Sequence, residues 1–298
     1  MKTPIQRYIY HRLTIALVIL QLSMWQSANA QQGTRTFILN KQGQALPFTN
    51  IVSLKSGKGT ITDEQGRFDR HIFPLGDSLA ITNIAYHRVI LRAENIPDTL
   101  YLLPLEKTLP NLTIYNWNSF NKSESTGYTK RKSNHLYNFL PGGQYAVFIP
   151  SKKGISCWVQ TVNFKFQSTG SCNGRMRIRL LSRNPENGKP GEDLVDDPGI
   201  FPISKIPKNW VVDFKEQHVI IPEEGMYVLI EVLDAKDACM PKGGIYGIED
   251  LLLSSAKTDM PGAGWRSFRD GEWYPLPGNE SAPFVVPQVI VQYKYHKN

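Results

Sequence analysis

Beyond its first thirty residues the chain has no apolar run long enough to cross a membrane as a helix. Leu251-Leu252-Leu253 and Val285-Val286 are short and flanked by polar residues. No segment there keeps a helical period, which excludes folds that alternate strands with long helices. Cysteine is scarce: Cys157, Cys172 and Cys239 are the only three, so at most one intramolecular disulfide forms and one thiol is left over. They show no Cys-x-x-Cys spacing and no neighbouring histidine pair, so a structural zinc site is not expected. One bridge and three buried small hydrophobes both remain open.

Catalytic signatures are missing as well. His71, His87, His135, His218 and His296 are isolated, with no His-Glu-x-x-His among them. No Gly-x-Ser-x-Gly elbow is present. Gly57-Lys58-Gly59-Thr60 hints at a phosphate loop, but Val52 stands where its first glycine would be needed. The acidic residues from Glu192 to Asp197 lack the alternation of a calcium loop and read as a solvated turn. Asp196-Asp197 and Glu249-Asp250 are carboxylate pairs of the kind a glycosidase uses, yet in turns they are ordinarily solvated. The expectation is therefore no catalytic residue, no metal and no cofactor, with a hydrolase of unrecognised site kept as a remote alternative.

What is present begins with a leader. Lys2, Arg7 and Arg12 precede an apolar run over residues 13–25, and Ala28-Asn29-Ala30 forms a small-x-small cleavage site. This is the order of a secretory signal peptide over residues 1–30. Its removal leaves 31 basic against 26 acidic residues, a net charge of +5, and no transmembrane segment is expected after cleavage. The basic residues are scattered, so nucleic acid is not an expected partner.

The mature chain is long for one small sandwich, and period-two patterns dominate it. Arg35 to Asn40, Thr49 to Leu54, Gly66 to Ile72, Asp77 to Asn83, His87 to Ala93 and Asp98 to Pro104 are strand-length and punctuated by turn residues. These strands form a first unit over residues 31–115, with Thr113 to Trp117 as its possible last strand. Residues 116–134, rich in Asn, Ser and Lys, read as an exposed linker. Residues 135–298 repeat the style on a larger scale. There Trp158, Val162, Phe164 and Phe166 fall on one face of a strand. Met176, Ile178 and Leu180 alternate with Arg175, Arg177 and Arg179, which read as a solvated face. The expected fold is all-β: two tandem antiparallel β-sandwiches, the second larger and of jelly-roll type.

The polar stretch over residues 57–72 carries Asp63, Glu64 and Asp69 with His71 behind them. Gly66 suits a chain reversal that needs positive φ, the Asp63 carboxylate can hold the turn amides, and Phe68 then enters the core. This is a structural turn rather than acid–base chemistry. Around it, Gly43, Leu46-Pro47-Phe48, Ile51-Val52, Gly59-Thr60, residues 62–68 and Asp77-Ser78-Leu79 before Ile84-Ala85-Tyr86 form a pattern. Over residues 33–115 the chain resembles the carboxypeptidase regulatory-like domain, a transthyretin-like β-sandwich of Bacteroidota-type envelope proteins. Ala85 stands where that family usually has glycine. The resemblance implies a non-catalytic module in an exported protein, periplasmic or outer-membrane-associated. Such modules often precede a transporter barrel, but too few residues follow here for one.

In the second unit, residues 264–276 read as a hairpin turning at Asp270-Gly271 that gathers Trp265, Phe268, Trp273 and Tyr274. Trp265, Trp273 and Tyr274 are candidate ligand-binding residues, since flat rings stack on sugars. Packing into the core or a domain interface is the competing reading. The leading expectation is a structural or protein-interaction role with an envelope protein partner, and the alternative is a glycan partner.

Overall fold

The computed structural model describes residues 35–56, 58–105, 115–129, 132–169, 173–195, 199–235, 251–268, 271–276 and 283–296. The leader, Cys172, Cys239, Asp196-Asp197, Glu249-Asp250 and Asp270 lie outside the described residues. Among the described residues strands account for 56%, more than twice the usual share, and no helix reaches seven residues; the fold is all-β.

The first sandwich consists of β1 (Arg35–Leu39), β2 (Asn50–Ser53), β3 (Gly59–Ile61), β4 (Arg67–Asp69), β5 (Ser78–Asn83), β6 (Tyr86–Arg92) and β7 (Thr99–Tyr101). A sheet of order β4-β1-β7 faces one of order β3-β2-β5-β6. Strand alternation sends Ile38, Ile51, Phe68, Leu79 and Ile81 into the core between them. One pairing departs from the antiparallel expectation: β1 and β7 run parallel. A parallel neighbour needs a long crossover, which the five intervening strands supply.

The second sandwich holds β8 (Lys122–Gly127), β9 (Lys132–Asn138), β10 (Gly143–Ile149), β11 (Cys157–Thr169), β12 (Gly174–Arg183), β13 (Pro190–Asp193), β14 (Ile200–Pro202), β15 (Asn209–Asp213), β16 (Met226–Ala235), β17 (Leu251–Thr258), β18 (Gly264–Phe268), β19 (Tyr274–Pro275), β20 (Phe284–Pro287) and β21 (Val289–Tyr295). Its two sheets have seven strands each, against four in a minimal jelly roll. The first runs β13-β12-β16-β10-β18-β19, with β14 also on β12. The second runs β20-β17-β11-β21-β8, with β15 on β11 and β9 on β17. Met176, Ile178, Leu180, Val228 and Ile230 of the first meet Val162, Phe164, Phe166, Leu253 and Val291 of the second.

Three local expectations change. Residues 122–127, read as linker, are β8, paired antiparallel with β21 from Lys122↔Tyr295 to Gly127↔Ile290. Residues 132–134 begin β9, paired with β17. At the sheet rim a strand with exposed side chains needs no apolar residues, so β8 carries a loop-like composition. Trp158 does not share a face with Val162, Phe164 and Phe166. The register of β11 against β21 shifts between Val159 and Thr161, so Cys157 and Val159 point inward before the bulge and Val162 after it. Tyr115-Asn116-Trp117 is no strand of the first sandwich: Trp117–Ser119 is a 3-10 turn, and the Trp117 ring lies 5.0 Å from that of Trp158.

Candidate functional site

Alternation along β12 places Met176, Ile178 and Leu180 in the core and Arg175, Arg177 and Arg179 on the opposite face. That face is not solvated. Arg177 is 6% exposed, and its registered neighbour on β16, Glu231, is fully buried. Gln144 of β10 stands opposite Glu231, and Ser267 of β18 stands opposite Gln144. Arg177, Glu231, Gln144 and Ser267 therefore form one polar row across four strands.

The first sandwich covers this row. Asn50, Val52 and Ala80 on the outer face of β2 and β5 are buried although Val52 and Ala80 belong to no core of their own unit. Asn50 Nδ2 donates to Glu231 Oε1 at 3.4 Å, and Arg88 Nη1 lies 3.0 Å from Glu272 Oε1. Arg175 reaches Glu64 at 3.5 Å and holds its guanidinium 4.4 Å from the centroid of Phe48. Phe48 has φ +55°, a left-handed conformation that a bulky side chain rarely takes, and it uses it to present its ring across the seam. A sheet face covered by another domain follows the same period as a solvated one, which is why the arginines read as exposed.

Burying these charges is tolerable because they are paired. Arg177 Nε and Nη2 donate to Glu231 Oε2 at 2.8 and 2.6 Å, and Gln144 Nε2 donates to Glu231 Oε1 at 2.9 Å. Arg179 grips Asp193 in a two-point fork at 2.8 and 2.6 Å. Burial pushes the Glu231 carboxyl upward, but the guanidiniums of Arg177 and then Arg179, with the Gln144 amide, outweigh it and hold it below the usual range.

The aromatic hairpin sits at one end of the seam. β18 and β19 pair with Trp265 opposite Pro275 and Arg266 opposite Tyr274. Trp265 and Trp273 pack against Ala146, Leu181, Tyr227 and Leu229 on the outer sheet face. Trp265 Nε1 donates to Tyr227 Oη at 3.1 Å and to the Gly262 carbonyl at 3.0 Å. Tyr274 is 51% exposed. The three rings thus form no common platform: two lie on the sheet and one faces outward. Between Gly271 and Trp273 of the hairpin and the first sandwich lies a polar cleft of about 160 Å³, lined among others by Asn50, Thr82, Asn83, Gln144 and Arg179.

Within the polar stretch, residues 62–66 are the turn between β3 and β4. Asp63 Oδ1 accepts from the amides of Gln65 and Arg67, both at 2.9 Å, and Oδ2 accepts from Arg67 Nε at 3.0 Å. Gly66 has φ +71°, and a Cβ there would stand 2.6 Å from the Ile38 carbonyl oxygen. Phe68 is core and meets Phe73 edge-on at 6.4 Å. Asp69 accepts from the His71 amide.

Two clusters carried no signal in the pattern of single strands. Glu124 accepts from Lys152 Nζ at 2.7 Å, Tyr295 Oη at 2.7 Å and Tyr293 Oη at 3.0 Å, which together pull its carboxyl down to about 2. On the same sheet, His218 stacks on Trp158 with ring centroids 5.6 Å apart and also meets Trp117 at 4.6 Å. Both clusters depend on residues 117–124, which composition assigns to a linker.

Among the described residues no three His, Cys, Asp or Glu side chains converge to hold a metal ion, and no helix is long and apolar enough to cross a membrane. Cys157 is a buried free thiol, and burial pushes its ionisation upward. No protein-family model and no curated protein matches the chain.

Proposed function

We propose that this is a non-catalytic, exported protein of the bacterial envelope, periplasmic or outer-membrane-associated, with a structural or protein-interaction role. The observation that carries the reading is the seam. Arg177–Glu231 and Arg179–Asp193 are ion pairs whose side chains are nearly withdrawn from solvent, and each charge is spent on its partner rather than turned toward a reacting group. Sheet docking through Asn50–Glu231 and Arg88–Glu272 makes the two sandwiches one extended body, as a spacer or docking module requires. The outer face of β1 and β7, with Phe37 and Tyr101 exposed, gives such a body an apolar contact surface.

The test is cell fractionation of the full chain in a Bacteroidota-type host, with a photo-crosslinking residue placed at Tyr101. The reading expects the leader to be removed, the protein to partition with the envelope, and one discrete envelope protein to be captured. Retention of the intact leader in the cytoplasm, or capture of nothing above a control at Lys55, would overturn it.

A further inference from the structure

We infer that the cleft between the hairpin and the first sandwich is a binding site for a neutral, hydroxyl-rich six-membered ring, one hexose unit of a glycan.

Four observations converge on that class. The first is an unanswered acceptor: Asn50 is 4% exposed and lines the cleft, and its Oδ1 has no hydrogen-bond partner among the described residues. Its amide orientation follows from Glu231, because the reversed amide would set Oδ1 against a carboxylate oxygen. A buried acceptor of this kind calls for a donor, and a sugar hydroxyl is one. The second is charge. The cleft's guanidiniums are matched by Glu231 and Asp193, so its described lining has no surplus to attract an anion or a cation. The third is chemistry: amides from Asn50, Asn83 and Gln144 offer both donors and acceptors, and the Trp273 indole supplies an apolar wall for a C–H face. The fourth is size. A cavity of about 150 Å³ accommodates a benzene ring, and this open cleft measures about 160 Å³, room for the six-membered ring of one sugar while its outer hydroxyls project toward solvent. The site takes residues from both sandwiches, so it exists only while they are docked.

The experiment is ligand-observed saturation-transfer NMR on the full chain. D-glucose, D-galactose, D-mannose and N-acetyl-D-glucosamine are the neutral probes, and D-glucuronate and D-glucosamine their charged counterparts. The inference expects a saturable signal from at least one neutral hexose that exceeds both charged sugars. The signal weakens about tenfold in Trp273→Ala, the loss of one ring contact. Asn50→Leu should weaken it similarly. If that variant fails to fold, Asn83→Ala, whose change lies at the less buried rim, replaces it with the same expected direction. No saturable signal from any neutral sugar overturns the proposal, as does stronger binding of a charged sugar or equal binding by the wild type and Trp273→Ala. A crystal soaked with the best probe that shows only ordered water in the cleft, room for about five molecules, overturns it too.

Discussion

Arg177 and Glu231 face each other 2.6 Å apart on the outside of a β-sheet, yet Glu231 is fully buried and Arg177 nearly so. Both strands present apolar residues to their own core on the other side, so the sandwich that owns this pair does not need it for its interior. The pair is buried because the first sandwich lies over it. A buried ion pair seldom adds net stability over apolar residues, but it punishes any partner surface that fails to complete it. Asn50 completes it here, so the charges specify which face of the first sandwich docks and in what register.

The first prediction tests that arrangement. Arg177→Met should destabilise the protein by about 3–5 kcal/mol, because it leaves Glu231 buried and unpaired. Arg177→Met combined with Glu231→Leu should recover most of that loss. Urea unfolding of the two single variants and the double variant closes the cycle. Additive losses in the double variant would show that the two residues do not act as a pair.

The turn over residues 63–68 offers a second prediction. Asp63→Ala removes acceptors for two backbone amides on an exposed turn and should cost about 1 kcal/mol. Gly66→Ala should cost more, about 1–3 kcal/mol, since it adds a strained left-handed conformation to a contact with the Ile38 carbonyl. Thermal melting of both variants gives the ranking, and Asp63→Ala proving the more harmful would contradict the geometry.

Much of this architecture was legible in the chain. Period-two stretches between turn residues announced the strands from Asp77 to Asn83 and from His87 to Ala93, and glycine at position 66 announced the reversal that sends Phe68 into the core. The losses have separate physical causes. A single extra residue near Gln160 inverts the phase of β11, so Trp158 was assigned to the wrong face; a bulge leaves no mark in composition. β8 looked like a linker because an exposed rim strand is held by backbone bonds that side-chain chemistry does not encode. The arginines looked solvated because a docking face and a wet face share one period. One signal did exist: Glu231 is a lone acid inside the apolar run from Met226 to Leu233, where an unpaired charge would be costly. Glycine and aromatic spacing located the hairpin but not the partner surface against which its rings turn.

The third prediction concerns pH. Lys152, Tyr295 and Tyr293 lower the Glu124 carboxyl from 4.5 to about 2. A group whose folded value is depressed stabilises the fold fully above its unfolded value and loses that contribution as pH falls through the folded one. Glu231, also lowered, acts in the same direction. Lys152 is raised by the same Glu124 carboxylate, so this contribution, present between the two folded values, disappears again as pH rises through that of the lysine. Urea midpoints should therefore drop as pH falls from about 5 to about 2 and again in strong alkali. Glu124→Gln should flatten part of the acid limb and leave the protein near neutrality with less to lose at the alkaline end. An acid limb of unchanged slope in that variant would count against the cluster.

The last prediction separates the rings of the hairpin. Trp265 gives both its ring and its Nε1 to the sheet: the indole packs with Ala146, Leu181 and Leu229, and the N–H reaches Tyr227 Oη and the Gly262 carbonyl. Trp265→Ala therefore removes packing and leaves a tyrosine hydroxyl with one partner fewer, and should cost about 2–4 kcal/mol. Tyr274 sits opposite Arg266 at the outer edge and is half exposed, so Tyr274→Ala should stay within about 0.5 kcal/mol. Trp273 lies between these cases, packed on the same apolar cluster but open on one side to the cleft. Its replacement by alanine should lower stability less than Trp265→Ala, and Trp273→Phe should restore most of the difference, because the indole N–H is not what holds it to the cluster. Thermal melts of the four variants, recorded beside the wild type, decide the order. If Tyr274→Ala proves as costly as Trp265→Ala, the outward placement of Tyr274 is wrong. If Trp273→Ala matches Trp265→Ala and Trp273→Phe restores nothing, the open side of Trp273 is closed in solution and the cleft beside it is not free to admit a ligand.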